Sequence, residues 1–148
     1  SERDIAVLWA NIEPFSEAIP ARIVDTKTQP TVEEGERVLA IGSPLEQKKI
    51  MTTGVVSKVE ERAIISDVNI NKGNSGGPLF NSLGEVIGVN TFGNFTSVGP
   101  GISGIVRIEQ AIEVIDEAVK AKAKTEKPSA RLLPIEPKGK FPLEAIKD

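Results

Sequence analysis

The stretch Lys72-Gly73-Asn74-Ser75-Gly76-Gly77-Pro78-Leu79 sets a serine among three glycines, with a proline and an apolar residue following. Glycine at 73 lets a backbone N–H approach a bound group closely, and a tight turn aims the N–H groups of Gly73 and Ser75 at one point. Two convergent donors beside a hydroxyl are the parts of an oxyanion hole beside a nucleophile, the apparatus of acyl transfer. Gly76 and Gly77 leave room for a substrate backbone. The competing reading is a glycine-rich hairpin loop with an incidental serine, since turns use these residue types routinely.

Such a serine needs a base, and the composition restricts the choice. The 148 residues include no His and no Cys, so imidazole, thiolate nucleophiles, disulfides and thiolate metal sites are all excluded within the chain. No metal or organic cofactor is implied. Lys72 lies close in sequence, but a lysine base requires a desolvated amine aimed at the hydroxyl. With 18 Lys+Arg against 21 Asp+Glu, the net charge of −3 argues against a nucleic-acid surface.

The elements that must position the loop read as strands. Ile and Val number 31 against 8 Leu, a β-branched excess that favours sheet. Residues 5–9 and 19–24 read as strands around a Pro-containing bend, and 26–35 as a polar connection. Further strands are expected at 37–41, at 50–59 with a break at Gly54, at 63–66, at 79–80, at 86–91 and at 101–106. Strands so spaced, with no helix between them, predict an antiparallel barrel or sandwich. Over 107–124 the period changes. Ile108, Ala111, Ile112, Ile115 and Val119 fall on one helix face, which predicts a helix packed on the outside of the barrel. Four of the ten prolines crowd into 125–148, an extended tail or linker in which Leu132-Leu133-Pro134-Ile135 could dock as a strand. The sequon Asn94-Phe95-Thr96 is a common chance occurrence.

The octet around Ser75 closely resembles the nucleophile motif of trypsin-like serine proteases, and its surroundings resemble their HtrA/Deg branch. Asp4-Ile5-Ala6-Val7-Leu8 is similar to the segment carrying the triad aspartate. Val38-Leu39-Ala40-Ile41-Gly42-Ser43-Pro44, Thr53-Gly54-Val55-Val56-Ser57 and Gly84-Glu85-Val86-Ile87-Gly88-Val89-Asn90 follow in family order. The resemblance implies an all-β fold: the second antiparallel β-barrel of the two-barrel trypsin-like fold, with a C-terminal α-helix. It divides the chain into an inter-barrel segment (1–35), the barrel (36–106), the helix (107–124) and the tail (125–148). It makes Ser75 the nucleophile, Asp4 the residue that orients the triad histidine, and Gly73-Asn74-Ser75 the oxyanion segment. Asn69 falls near the floor of the specificity pocket, where a non-acidic residue favours small or medium apolar side chains over Arg or Lys. Gly101, Ile102, Ser103 and Gly104 correspond to the strand along which substrate pairs. Asn74 replaces the Asp that pairs with a newly cut N-terminus in other relatives, so activation by that route is not expected.

The departure is the histidine, which in the family lies on the first barrel, upstream of the aspartate. The chain therefore reads as the back half of a protease whose N-terminal barrel supplies the base, and alone it is expected to be inactive. The expected substrates are extended or unfolded polypeptides, the expected compartment is extracytoplasmic, and homo-oligomerisation is open. A non-catalytic binding or assembly module is the alternative.

Overall fold

In the computed structural model, residues 4–10, 13–43, 50–91 and 101–124 are described. A single 3₁₀ turn, Glu13–Phe15, precedes seven strands: β1 (Arg22–Ile23), β2 (Arg37–Gly42), β3 (Ile50–Val59), β4 (Ala63–Ser66), β5 (Pro78–Asn81), β6 (Glu85–Asn90) and β7 (Ser103–Arg107). Helix α1 (Ile108–Lys124) ends the described chain. The sequon at 94–96 and the tail 125–148, with its 132–135 segment, lie outside the described residues.

Antiparallel pairing runs from β2 to β3, β4, β7, β6, β5 and back to β2, which closes six strands into a barrel. Closure removes the free edges that an open sheet would present. The alternation in β2 sends Val38 and Ala40 inward, where they join Val56, Ile64, Val68, Ile70, Leu79, Ile87 and Ile105 in the barrel core. β6 is covered on both faces, which explains its continuous apolar run. Ile87 faces the barrel, while Val86 faces α1 in a second cluster with Ile108 and Ala111.

Four expectations are corrected. Residues 5–9 form no strand: Ile5 and Val7 are half-buried and Ala6 and Leu8 exposed, but Ile5 packs against the α1 cluster rather than in a ladder. Of 19–24, only Arg22–Ile23 pairs, in parallel with Glu85 and Val86 of β6. The 26–35 connection is not wholly polar in its role, because Val32 enters the barrel core. β3 runs unbroken through Gly54, and its register shift falls between Val56 and Lys58. Gly54 is bare for a different reason: a Cβ there would lie 2.5 Å from both Asp67 Oδ1 and Val68 N.

The helix starts at Ile108, directly after β7, with Glu109 in its first turn. Arg107 holds that carboxylate with Nη2 on Oε1 at 2.5 Å and Nε on Oε2 at 3.2 Å, while Thr31 Oγ1 donates to Oε1 at 2.6 Å. Burial pushes the Glu109 carboxyl up, but these hydrogen bonds and the guanidinium charge outweigh it and hold the group below its ordinary value. The apolar stripe of α1 is buried only at its start. Ile115 and Val119 remain 37% and 48% exposed, so the stripe is incompletely covered beyond its first turns.

Candidate active site

The Ser75 loop joins β4 to β5, and its approach is pinned by alternate residues. Val68 and Ile70 are buried in the barrel, which turns Asp67 and Asn69 outward. Thr52 Oγ1 donates to Asn69 O at 2.9 Å, and Asp67 Oδ1 accepts from Val55 N–H at 2.7 Å, so both outward residues are tied to β3. Asn69 is thus exposed at the base of the loop.

Two successive tight turns then carry Ser75. Asn74 N–H donates to Asn71 O at 3.0 Å, and Gly77 N–H donates to Asn74 O at 3.0 Å. Gly73 between them has φ of +103°, a conformation open to glycine and costly for residues bearing a Cβ. A trans peptide points its C=O and N–H in opposite directions. Because Asn74 O turns back to Gly77, the Ser75 N–H faces the other way, out of the loop. Among the described residues the N–H groups of Gly73 and Ser75 have no acceptor, and Ser75 is exposed. Asn74, placed with these two in the oxyanion segment, differs: its N–H is spent on Asn71 and its side chain is 1% exposed.

Strand ends on both sides hold the loop. Ser43 N–H, just beyond β2, donates to Gly73 O at 3.2 Å. At the end of β6, Gly76 N–H donates to Asn90 O and Asn90 N–H to Gly77 O, each at 2.8 Å, while Asn90 Nδ2 donates to Pro78 O at 3.1 Å.

Asp4 arrives at the same end of β6. Thr91, the residue after Asn90, donates its hydroxyl to Asp4 Oδ2. Asp4 is exposed, and its segment is anchored beyond it by Ile5 in the α1 cluster and by Trp9, whose ring lies 3.8 Å from Lys122 Nζ. Residues 90 and 91 therefore join the Ser75 loop to Asp4. No sequence pattern marks Thr91, a single hydroxyl just after a strand.

Gly101 and Ile102 are exposed ahead of β7, whereas Ser103 and Gly104 pair with Ser66 and Ile65 of β4. At 103 and 104 an added strand would find only the edge opposite β4. Lys72 is exposed, without the desolvation that a lysine base needs.

Comparison with known proteins gives this geometry a family. A profile described as a trypsin-like peptidase domain matches residues 1–89. The serine endoprotease DegS of Salmonella typhimurium is 32% identical over 130 residues, covering 79% of this chain and 35% of DegS. A probable periplasmic serine endoprotease, DegP-like, of Pseudomonas putida is 42% identical over 115 residues, covering 66% of this chain and 24% of that relative. The crystal structure of the serine endoprotease from Yersinia pestis superposes with a TM-score of 0.59 at 32% identity, over 69% of this chain and 36% of that one. The chain thus spans between 24% and 35% of the length of the two curated relatives. By the matched profile, the relatives and the closed six-stranded barrel together, the chain belongs to the trypsin-like serine peptidases, in their HtrA/Deg branch.

Proposed function

We propose that this chain is the nucleophile-bearing part of a serine endopeptidase. In this reading Ser75 Oγ attacks the carbonyl carbon of a scissile peptide bond, and its proton passes to a histidine supplied from outside these 148 residues, since the sequence contains none. The electron pair displaced onto the carbonyl oxygen makes it an oxyanion, to which the N–H groups of Gly73 and Ser75 donate hydrogen bonds. Collapse of the tetrahedral intermediate expels the amine, which takes the proton, and leaves an acyl ester on Ser75 for water to hydrolyse. Asp4 orients the histidine and stabilises its charged form. One observation carries the reading: an exposed serine beside two N–H groups that have no acceptor among the described residues, in a loop joined through residues 90 and 91 to a carboxylate.

Substrates in this reading are extended or unfolded polypeptides, and the partner is an N-terminal barrel bearing the histidine. Asn69, being uncharged, favours a small or medium apolar side chain before the scissile bond. The extracytoplasmic location rests on likeness to a relative named as periplasmic. Alone, the chain is inactive, because general-base assistance contributes about 10²–10⁴-fold and triad members act as a unit.

The absence of His also supports a second reading, a non-catalytic binding or assembly module. A hybrid separates the two, with this chain replacing the matching segment of the Pseudomonas putida relative. The enzyme reading predicts cleavage of an unfolded polypeptide by the hybrid, abolished by Ser75→Ala and cut by about 10⁴-fold in kcat by Asp4→Asn. A folded hybrid that cleaves nothing supports the module. Turnover by the isolated chain that disappears in Ser75→Ala would overturn its predicted inactivity.

A further inference from the structure

The Ser75 loop rests on the end of β2, and the contact there is closer than ordinary packing. Asn74 is 1% exposed, yet neither its Nδ2 nor its Oδ1 has a hydrogen-bond partner among the described residues. A buried unpaired carboxamide lowers stability, so packing alone does not account for an asparagine where a small apolar residue would fit without that penalty. Against it lies Gly42. A Cβ built there would stand 2.0 Å from Asn74 Oδ1, 2.7 Å from its Cγ and 2.9 Å from its Cα. The last of these is backbone and cannot swing aside.

The neighbouring contacts fall on both sides of Ser75. Ser43 N–H holds Gly73 O, and a Cβ on Gly77 would meet Ile41 O at 3.1 Å and Asn74 O at 2.9 Å. Residues 41–43 thus touch the loop at 73, 74 and 77. Since Asn74 N–H and C=O are both committed within the loop, a shift of Asn74 must turn one of the peptide groups flanking it. Turning the group between 74 and 75 re-aims the Ser75 N–H directly, and turning the one between 73 and 74 strains Gly73.

We infer that Gly42 and Asn74 are positioning residues: the bare Gly42 seats the buried Asn74 carboxamide, and this seat on β2 sets the direction of the Gly73 and Ser75 N–H groups. The inference rests on the proposed role of those groups as oxyanion donors, but the seat itself can be measured without it.

The test combines thermal melting with ¹⁵N amide spectra of the chain. Gly42→Ala should lower Tm by about 5 °C or more and move the Gly73 and Ser75 amide resonances, although residue 42 is distant from both in sequence. Val38→Ala, which opens a cavity under the same strand without touching the loop, should lower Tm and leave those two resonances in place. Asn74→Ala added to Gly42→Ala removes two of the three colliding atoms and should raise Tm above that of Gly42→Ala alone. If Gly42→Ala does not fold, recovery of folding in the double variant supports the seat. The inference is overturned if Gly42→Ala leaves the Gly73 and Ser75 amides unmoved, or if the double variant recovers neither Tm nor folding. Failure of Ser75 to react in the hybrid enzyme would remove the oxyanion reading while leaving these amide results standing.

Discussion

The Ser75 loop and Asp4 are both bonded to the end of β6, but they are held there by different means. The serine sits in a loop whose backbone is bonded at Asn71, Ser43 and Asn90, so main-chain geometry defines its place. The aspartate lies in a segment outside the ladders, kept by one hydroxyl from Thr91, by Ile5 against α1 and by Trp9 against Lys122. Backbone bonds within a closed barrel open together with the barrel, whereas a side-chain-anchored strap can leave while the barrel persists. The Ser75 loop is thus part of the fold, whereas the Asp4 segment is docked onto it.

The largest effect should come from the barrel side. Leu79 is fully buried on the strand that leaves the Ser75 loop. Leu79→Ala is expected to cost about 2–5 kcal/mol in denaturant unfolding, with loop and barrel lost in one transition. Separate transitions would break the claim that the loop belongs to the fold. Ile5→Ala acts on the docked side and should cost about 1 kcal/mol, the side chain being only partly buried. Barrel amides should keep their resonances while those of Asp4 and Thr91 move; a spread of changes through β2 to β5 would contradict the strap.

Thr91→Val keeps the shape and removes the donor to Asp4. A stability loss below about 1 kcal/mol is expected for this exposed bond, together with a lower kcat in the hybrid enzyme and little change in KM. An unchanged kcat would show that Asp4 is placed without Thr91.

The smallest effect concerns pH at the start of α1. Glu109 titrates in the folded chain below its ordinary value of 4.5, so its contribution is present above that value and is lost as pH falls through the folded one. The carboxylate is partly exposed, which limits the contribution to under about 1 kcal/mol. Stability measured from neutral pH downward should fall less steeply in Glu109→Gln than in the parent chain, and identical slopes would remove Glu109 from the account.

Where the backbone decides, the sequence was legible. The glycines around Ser75 mark a tight turn, and β-branched runs separated by turns predict the strands of the barrel. Where tertiary contacts decide, it was less so. Residues 5–9 are apolar throughout, yet only Ile5 is packed against an apolar cluster, and its partners are side chains of α1 and β6 instead of a neighbouring strand. A short apolar run cannot tell those cases apart. Gly54 looked like a break because glycine often marks one, yet it makes room for Asp67 and Val68. Thr91 was hidden because one hydroxyl after a strand carries no pattern of its own. The stripe on α1 predicted its buried face, but only Ile108 and Ala111 along it are buried.

In the proposed function, Ser75 is a nucleophile whose loop is already formed and whose base comes from outside this chain. Fluorophosphonate labelling of the hybrid enzyme, read by intact mass and peptide mapping, tests it most directly. The account predicts one adduct, on Ser75, formed about 10²-fold or more faster than on the isolated chain. A folded hybrid in which Ser75 stays unmodified, or an isolated chain that reacts as fast as the hybrid, would contradict it.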